Sequence, residues 1–257
     1  MHTVLVFTMI FVGLLYLLVT SAVSSQTQID TTELYSFVDE RHGVEILMGI
    51  DHEANEAVAH VSYQQDTVEG IQNYVEYNDL QLAQLAKNLA PKEIIPVEIT
   101  FSKPLTQSEF EQFVKESGVT VEKYHLFAVT GTGRLPGEIH TIGGNPSDTE
   151  LVPEDSFELT VAGVKEFAGK DARLLGWVTL YGETSIAQIS EIKSREDVFL
   201  VDVSHSVVEA ELTQANLRDA GISRASSRQL VKNGLTTVHR APMSYTIAEL
   251  GLLPMGE

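Results

Sequence analysis

Residues Val4 to Val23 read VLVFTMIFVGLLYLLVTSAV and contain no charged side chain. An uncharged apolar run of about 20 residues is long enough to cross a bilayer as one helix. No second run of this kind follows, so the remainder of the chain reads as a water-facing body attached to, or delivered across, a membrane. Two fates are open for residues 1–25. Met1, His2 and Thr3 supply no basic n-region, and the run is longer than a usual signal core, which favours a retained anchor. The small exit residues Ser21-Ala22-Val23-Ser24-Ser25 favour cleavage near Ser24 and secretion. The first Lys or Arg is Arg41, preceded by Asp30, Glu33, Asp39 and Glu40. With no basic residue on the downstream flank, the expected orientation is a cytoplasmic N-terminus and an extracytoplasmic body, with the membrane as a partner through the helix.

The chain has 36 acidic and 17 basic residues and a formal charge of −19. A field of that sign repels phosphate backbones and excludes nucleic acid as an expected partner. There is no cysteine, which excludes thiolate catalysis, cysteine-ligated zinc and iron–sulfur clusters. No Asn-x-Ser/Thr acceptor with a permitted middle residue occurs.

Residues 33–90 form an acidic block whose only Lys or Arg residues are Arg41 and Lys87. Val44 to Ile50 fits a strand or the start of a helix. Val68, Ile71, Val75, Leu82, Leu85 and Leu89 are spaced for one face of a helix, with a stop before Pro91. The block therefore reads as a mostly helical extension. From Ile94 the period changes. Pro96-Val97-Glu98-Ile99-Thr100-Phe101 alternates like a half-buried strand. Thr106 or Ser108 caps a helix carrying Phe110, Phe113 and Val114, Gly118 ends it, and Val119–Leu126 reads as a second strand. The order returns later. Leu174–Tyr181 is a strand, Thr184 or Ser185 opens a helix with Ile186, Ile189 and Ile192 inward, and Asp197–Val203 is a closing strand. Two β-α-β halves predict a split, ferredoxin-like α+β domain over 94–205 with one four-stranded antiparallel sheet. An insertion over 127–173 holds the loop-forming Gly131–Gly137 and Gly143–Pro146. Phe113, Val114, Ile189, Trp177 and Phe199 are core candidates. Residues 206–257 read as a tail, whose basic stretch 218–240 (Arg218, Arg224, Arg228, Lys232, Arg240) reads as a solvated face pairing with the acidic block.

Residues 94–126 and 174–204 resemble the propeptide (inhibitor I9) family of subtilisin-like proteases. The likeness rests on Pro96 to Tyr124 with its Gly118 turn, on Gly176-Trp177-Val178-Thr179-Leu180 with the helix opening at Thr184, and on Ser194 to Asp202. The family joins its halves by a short hairpin, where this chain has the 127–173 insertion, and no subtilisin-like catalytic domain follows. The resemblance implies a stand-alone protease-inhibitor or chaperone-like module. It also implies that Val203-Ser204-His205-Ser206-Val207-Val208 enters a protease cleft.

One string suggests chemistry. On a helix, His52, Glu56 and His60 line one face, and two imidazoles with a carboxylate hold zinc or iron. The spacing departs from His-Glu-x-x-His, and solvated helix residues are the plainer reading. No Gly-x-Ser-x-Gly elbow occurs, Gly131-Thr132-Gly133 lacks the rest of a phosphate loop, and Tyr35, Tyr63, Tyr74 and Tyr77 read as packing residues rather than a groove. No catalytic residue, cofactor or metal ligand is therefore assigned. The favoured function is a membrane-anchored or exported binding module without catalysis, with a protein partner, a subtilisin-like protease in its sharpest version. The alternatives are a metal-dependent hydrolase using His52, Glu56 and His60, and a structural envelope protein.

Overall fold

A computed structural model describes residues 35–51, 56–129, 139–154, 172–214 and 236–254, with positions 158, 161–163, 165, 166, 233 and 234 besides. The fold is α+β with two sheets. The first is built by β1 (Tyr35–Asp39), β2 (Val44–Asp51) and β3 (Glu56–Ser62), an antiparallel meander, and by β9 (Thr236–His239), which pairs with β3 in parallel. Helix α1 (Val68–Asn88) follows the meander. The second sheet contains β4 (Ile94–Leu105), β5 (Thr120–Val129), β6 (Ile139–Gly144), β7 (Arg173–Ser185) and β8 (Val198–Asp202), in the order β6-β5-β7-β4-β8. Helix α2 (Gln107–Ser117) connects β4 to β5, and α3 (Ile186–Lys193) connects β7 to β8. Helices α4 (Ser204–Gln214) and α5 (Met243–Glu249) complete the described elements.

This architecture corrects the expected fold class. Within the acidic block, Tyr35–Asp39, Val44–Asp51 and Glu56–Ser62 are strands rather than parts of a helical extension. The cause is a period of two: Val44, Ile46 and Met48 are buried while Glu45 and Leu47 are half-buried. Cross-strand partners then fix the register, Met48 opposite Ala59 and Ile46 opposite Val61. Helical period begins only after Thr67, whose hydroxyl accepts the Gly70 amide at 3.0 Å. The buried face of α1 is also rotated from the expected one. It is centred on Ile71, Tyr74, Tyr77, Asn78 and Leu85, while Val68 is exposed.

The expected membrane span is likewise not carried by the structure. Among the described residues no helix is long and apolar enough to cross a membrane, and residues 4–23 lie outside them. The fold class is corrected to α+β with two sheets, and no transmembrane helix occurs among the described residues. The single-pass topology, the extracytoplasmic placement, the secreted alternative and the membrane partner that rested on that helix are withdrawn with it.

In the second sheet, strands β5-β7-β4-β8 stand in the split β-α-β order, each unit leaving a gap that a strand of the other fills. The stretch 127–173 lengthens β5 to Val129 and adds β6 at the edge. Local chemistry explains the α2 turn. Thr106 and Glu109 form a reciprocal capping box, and Gly118 takes φ +65, open to glycine at little cost. Helices α2 and α3 cover one face of this sheet. Phe110 stacks on Trp177 with centroids 5.4 Å apart, and Phe113 meets Phe101 edge-on at 5.0 Å. Each such ring contributes roughly 1.5–3 kcal/mol by leaving water. Val114 and Phe199 are only partly buried at the margin of this core. The opposite face receives α4 and α5. One continuous cluster of buried side chains joins both sheets.

Candidate functional site

The strand register places four polar side chains in one row across the second sheet. Glu98 on β4 lies between Tyr181 on β7 and Asp202 on β8, and Tyr181 pairs in turn with Lys123 on β5. Alternation explains their common face. Val97, Ile99 and Phe101 point toward α2 and α3, so Glu98 and Thr100 point the other way, toward the joint with the first sheet.

Arg240, the first residue after β9, closes over this row. Its guanidinium donates to Asp202 Oδ2 through Nη1 and to Glu98 Oε2 through Nη2. All three groups are buried: the side chains of Arg240, Glu98 and Asp202 are 9, 6 and 1% exposed. Asp202 is further held by the Tyr74 hydroxyl, which donates to Oδ2 at 2.7 Å, and by the Ser204 amide on Oδ1 at 2.8 Å. Asn78 accepts the Val203 amide at 3.1 Å, and Tyr63 stacks on Tyr74 at 3.9 Å. The C-terminal segment is thus fastened to the second sheet through charge, and the same Asp202 ties β8 to α1 through the Tyr74 hydroxyl.

Two carboxylates face one guanidinium, so the fully ionised cluster carries one uncompensated negative charge. Burying ions costs several kcal/mol each unless they are paired. Glu98 bears the consequence. Burial first, opposed by Arg240 and reinforced by Asp202, raises its carboxyl to about 7. Burial also resists the Arg240 charge, but Asp202 and Glu98 outweigh it and hold the guanidinium protonated. Burial and Asp202 together raise the Tyr74 hydroxyl, and burial and Glu98 raise that of Tyr181. Tyr181 also interacts with the Glu98 carboxylate, yet Glu98 Oε1 completes no hydrogen bond of normal geometry.

Beside this row is a cavity of about 260 Å³. Glu98, Asp202 and Arg240 contribute its charged lining, and Tyr181, Pro96 and Val238 contribute rings and methyls. Lys123, Glu122 and His205 also line it. The Lys123 ammonium lies 5.2 Å from the Tyr181 ring centroid. His125 meets the same ring edge-on at 5.0 Å, and burial, with Lys123 nearby, lowers its imidazole to about 4. The arrangement offers a buried acceptor, an aromatic wall and a short apolar surface.

The residues singled out in the sequence fall elsewhere. His52 lies outside the described residues. Glu56 and His60 are on strand β3, not on a helix, so the three-residue helical face does not exist. Glu56 accepts from Thr237 Oγ1 at 3.2 Å, and His60 stacks on His239 at 4.9 Å. Burial and the neighbouring His239 lower the His60 imidazole. Among the described residues no group of three or more His, Cys, Asp or Glu is placed to hold a metal ion. The segment 203–208 begins helix α4, with Val203, Ser204, Ser206, Val207 and Val208 buried. Tyr63, Tyr74 and Tyr77 pack in the core. The sequence reading passed over Glu98, Asp202 and Arg240. The available signal was an acidic residue set inside each of two apolar strands, Val97-Glu98-Ile99 and Val201-Asp202-Val203.

Comparison with protein-family models, with curated proteins and with solved structures finds no match.

Proposed function

We propose that the protein is a binding module without catalysis of its own, taking a small ligand in the cleft where its two sheets meet. The observation that carries this reading is Glu98 Oε1, a buried acceptor without a well-formed hydrogen bond, on a side chain that lines a 260 Å³ cavity. Leaving such an atom unsatisfied costs about 1–3 kcal/mol, which a ligand donor recovers. Binding is favoured over catalysis because the ionised groups of the cluster hold one another. Arg240 spans both carboxylates, and Asp202 is further engaged by Tyr74 and Ser204. The propeptide-like version of a binding role would use residues 203–208. All of these but His205 are buried, which directs the proposal to the cleft instead.

The test is a titration of the isotope-labelled full-length protein with a mixed set of small amines, carboxylates, amides and sugars. Backbone amide shifts of Lys123, Gly182, Ser204 and His205 are the readout. At least one compound is expected to move these amides saturably. If no compound moves them, or all saturable shifts lie elsewhere, the proposal fails.

A further inference from the structure

Charge selects the ligand class. Resting on the reading of the cleft as a binding site, we infer that its ligand is a small primary ammonium on a short alkyl chain, held by Glu98 against the Tyr181 ring.

Three features of the lining converge on this. The ionised cleft has a negative excess: Glu98, Asp202 and Glu122 stand against Arg240 and Lys123. His205, the remaining titratable group of the rim, has its own carboxylate, Glu209, at 3.5 Å. Arg240 is committed to both floor carboxylates, so the excess falls on Glu98, whose Oε1 is buried without a well-formed hydrogen bond. An ammonium N–H supplies a charged donor and the missing positive charge together, and such charge-assisted bonds are the stronger kind. Secondly, the Tyr181 ring already accommodates an ammonium, that of Lys123 at 5.2 Å. Cations are attracted to the faces of aromatic rings. Thirdly, Pro96 and Val238 give the cavity apolar lining beside the acceptor, suited to methylenes. At about 260 Å³ the space lies just below the usual range for drug-sized ligands, roughly 300–1,000 Å³, and is much larger than a bare ion needs.

The same features separate the roles of two residues. Glu98 attracts the ligand and Lys123 repels it. A purely structural charge cluster has no reason to respond to substitutions at these positions with opposite changes in affinity.

The experiment titrates n-butylammonium chloride, potassium chloride, sodium butyrate and 1-butanol separately into the full-length protein. The amides of Lys123, Gly182, Ser204 and His205 are followed in the wild type, Glu98→Gln and Lys123→Ala. Circular dichroism and thermal unfolding establish that each variant is folded. The expected result is saturable binding of n-butylammonium alone, weakened about tenfold or more by Glu98→Gln, in line with loss of one hydrogen bond to a charged group. Lys123→Ala is expected to tighten it severalfold. Butyrate or butanol moving these amides while n-butylammonium does not overturns the ammonium assignment and leaves the cleft as a binding site. Potassium binding as well as n-butylammonium overturns the alkyl requirement. Unchanged affinity in folded Glu98→Gln overturns the role of Glu98. If none of the four probes moves the amides, the ammonium inference fails, and the wider compound set decides separately whether the cleft binds anything.

Discussion

Replacing Arg240 with Met keeps most of the side-chain volume and removes the charge that two buried carboxylates share. Glu98 and Asp202 are adjacent partners on β4 and β8, 6 and 1% exposed, and the guanidinium between them is itself 9% exposed. Exposed ion pairs contribute about 0–1 kcal/mol, but this one has almost no access to solvent screening. Removing one member of a buried ion pair typically costs about 3–5 kcal/mol, because the partner is left charged and unpaired. For a chain of this size each kcal/mol lowers Tm by about 2–4 °C, so Arg240→Met is expected to melt roughly 6–20 °C lower. Chemical and thermal unfolding followed by circular dichroism at pH 7 measures the loss. The double variant Arg240→Met/Glu98→Gln, which keeps only one buried carboxylate, is expected to recover part of it. A loss below about 1 kcal/mol in Arg240→Met, the range of an exposed pair, would refute the claim that this cluster is a buried, charge-coupled joint.

The pH dependence follows from Glu98. Its carboxyl rises from 4.5 to about 7 on folding, so between those values the folded state holds more protons than the unfolded one. Its contribution, about 3 kcal/mol, is therefore fully present below pH 4.5 and lost as pH rises through 7. Unfolding measured from pH 5 to 8 should show this decline, and Glu98→Gln should flatten it. Thr106→Ala removes the hydroxyl that accepts the Glu109 amide at 3.3 Å and breaks the capping box. A loss of about 1 kcal/mol by urea unfolding is expected. Phe110→Ala empties a fully buried position between Trp177 and Tyr124. It should cost about 3–5 kcal/mol, and a loss under 1 kcal/mol would contradict the packing described.

How legible the fold was depends on how local each signal is. The α2 turn was readable because its determinants lie within one helix: Thr106 before it, Glu109 three residues on, Gly118 after it. The two β-α-β units were visible for the same reason. The first sheet was obscured because Val44 to Ile50 is a short apolar run that suits either period. Its last strand, Thr236–His239, pairs with residues near position 57, far away in sequence. No local pattern announces a parallel pairing across most of the chain. The apolar run at residues 4–23 was read from composition alone, and the membrane span inferred from it finds no described helix to carry it.

The candidate site was harder still. Glu98 looked like the outward-facing residue of a half-buried strand, and becomes buried only because Arg240 and the C-terminal elements cover that face. Arg240 looked like one member of a solvated basic run, although its two carboxylate partners lie 38 and 142 residues away. His52, Glu56 and His60 failed for the opposite reason. Their spacing means one helical face, but in a strand a separation of four places Glu56 and His60 on one face yet about 13 Å apart.

A structure of the protein crystallised with n-butylammonium chloride tests the central claim most directly. The account predicts the ligand nitrogen within hydrogen-bonding distance of Glu98, beside the Tyr181 ring, with its alkyl chain toward Pro96 and Val238. A cleft filled only by solvent, with the ammonium elsewhere or absent at saturating concentration, would contradict it.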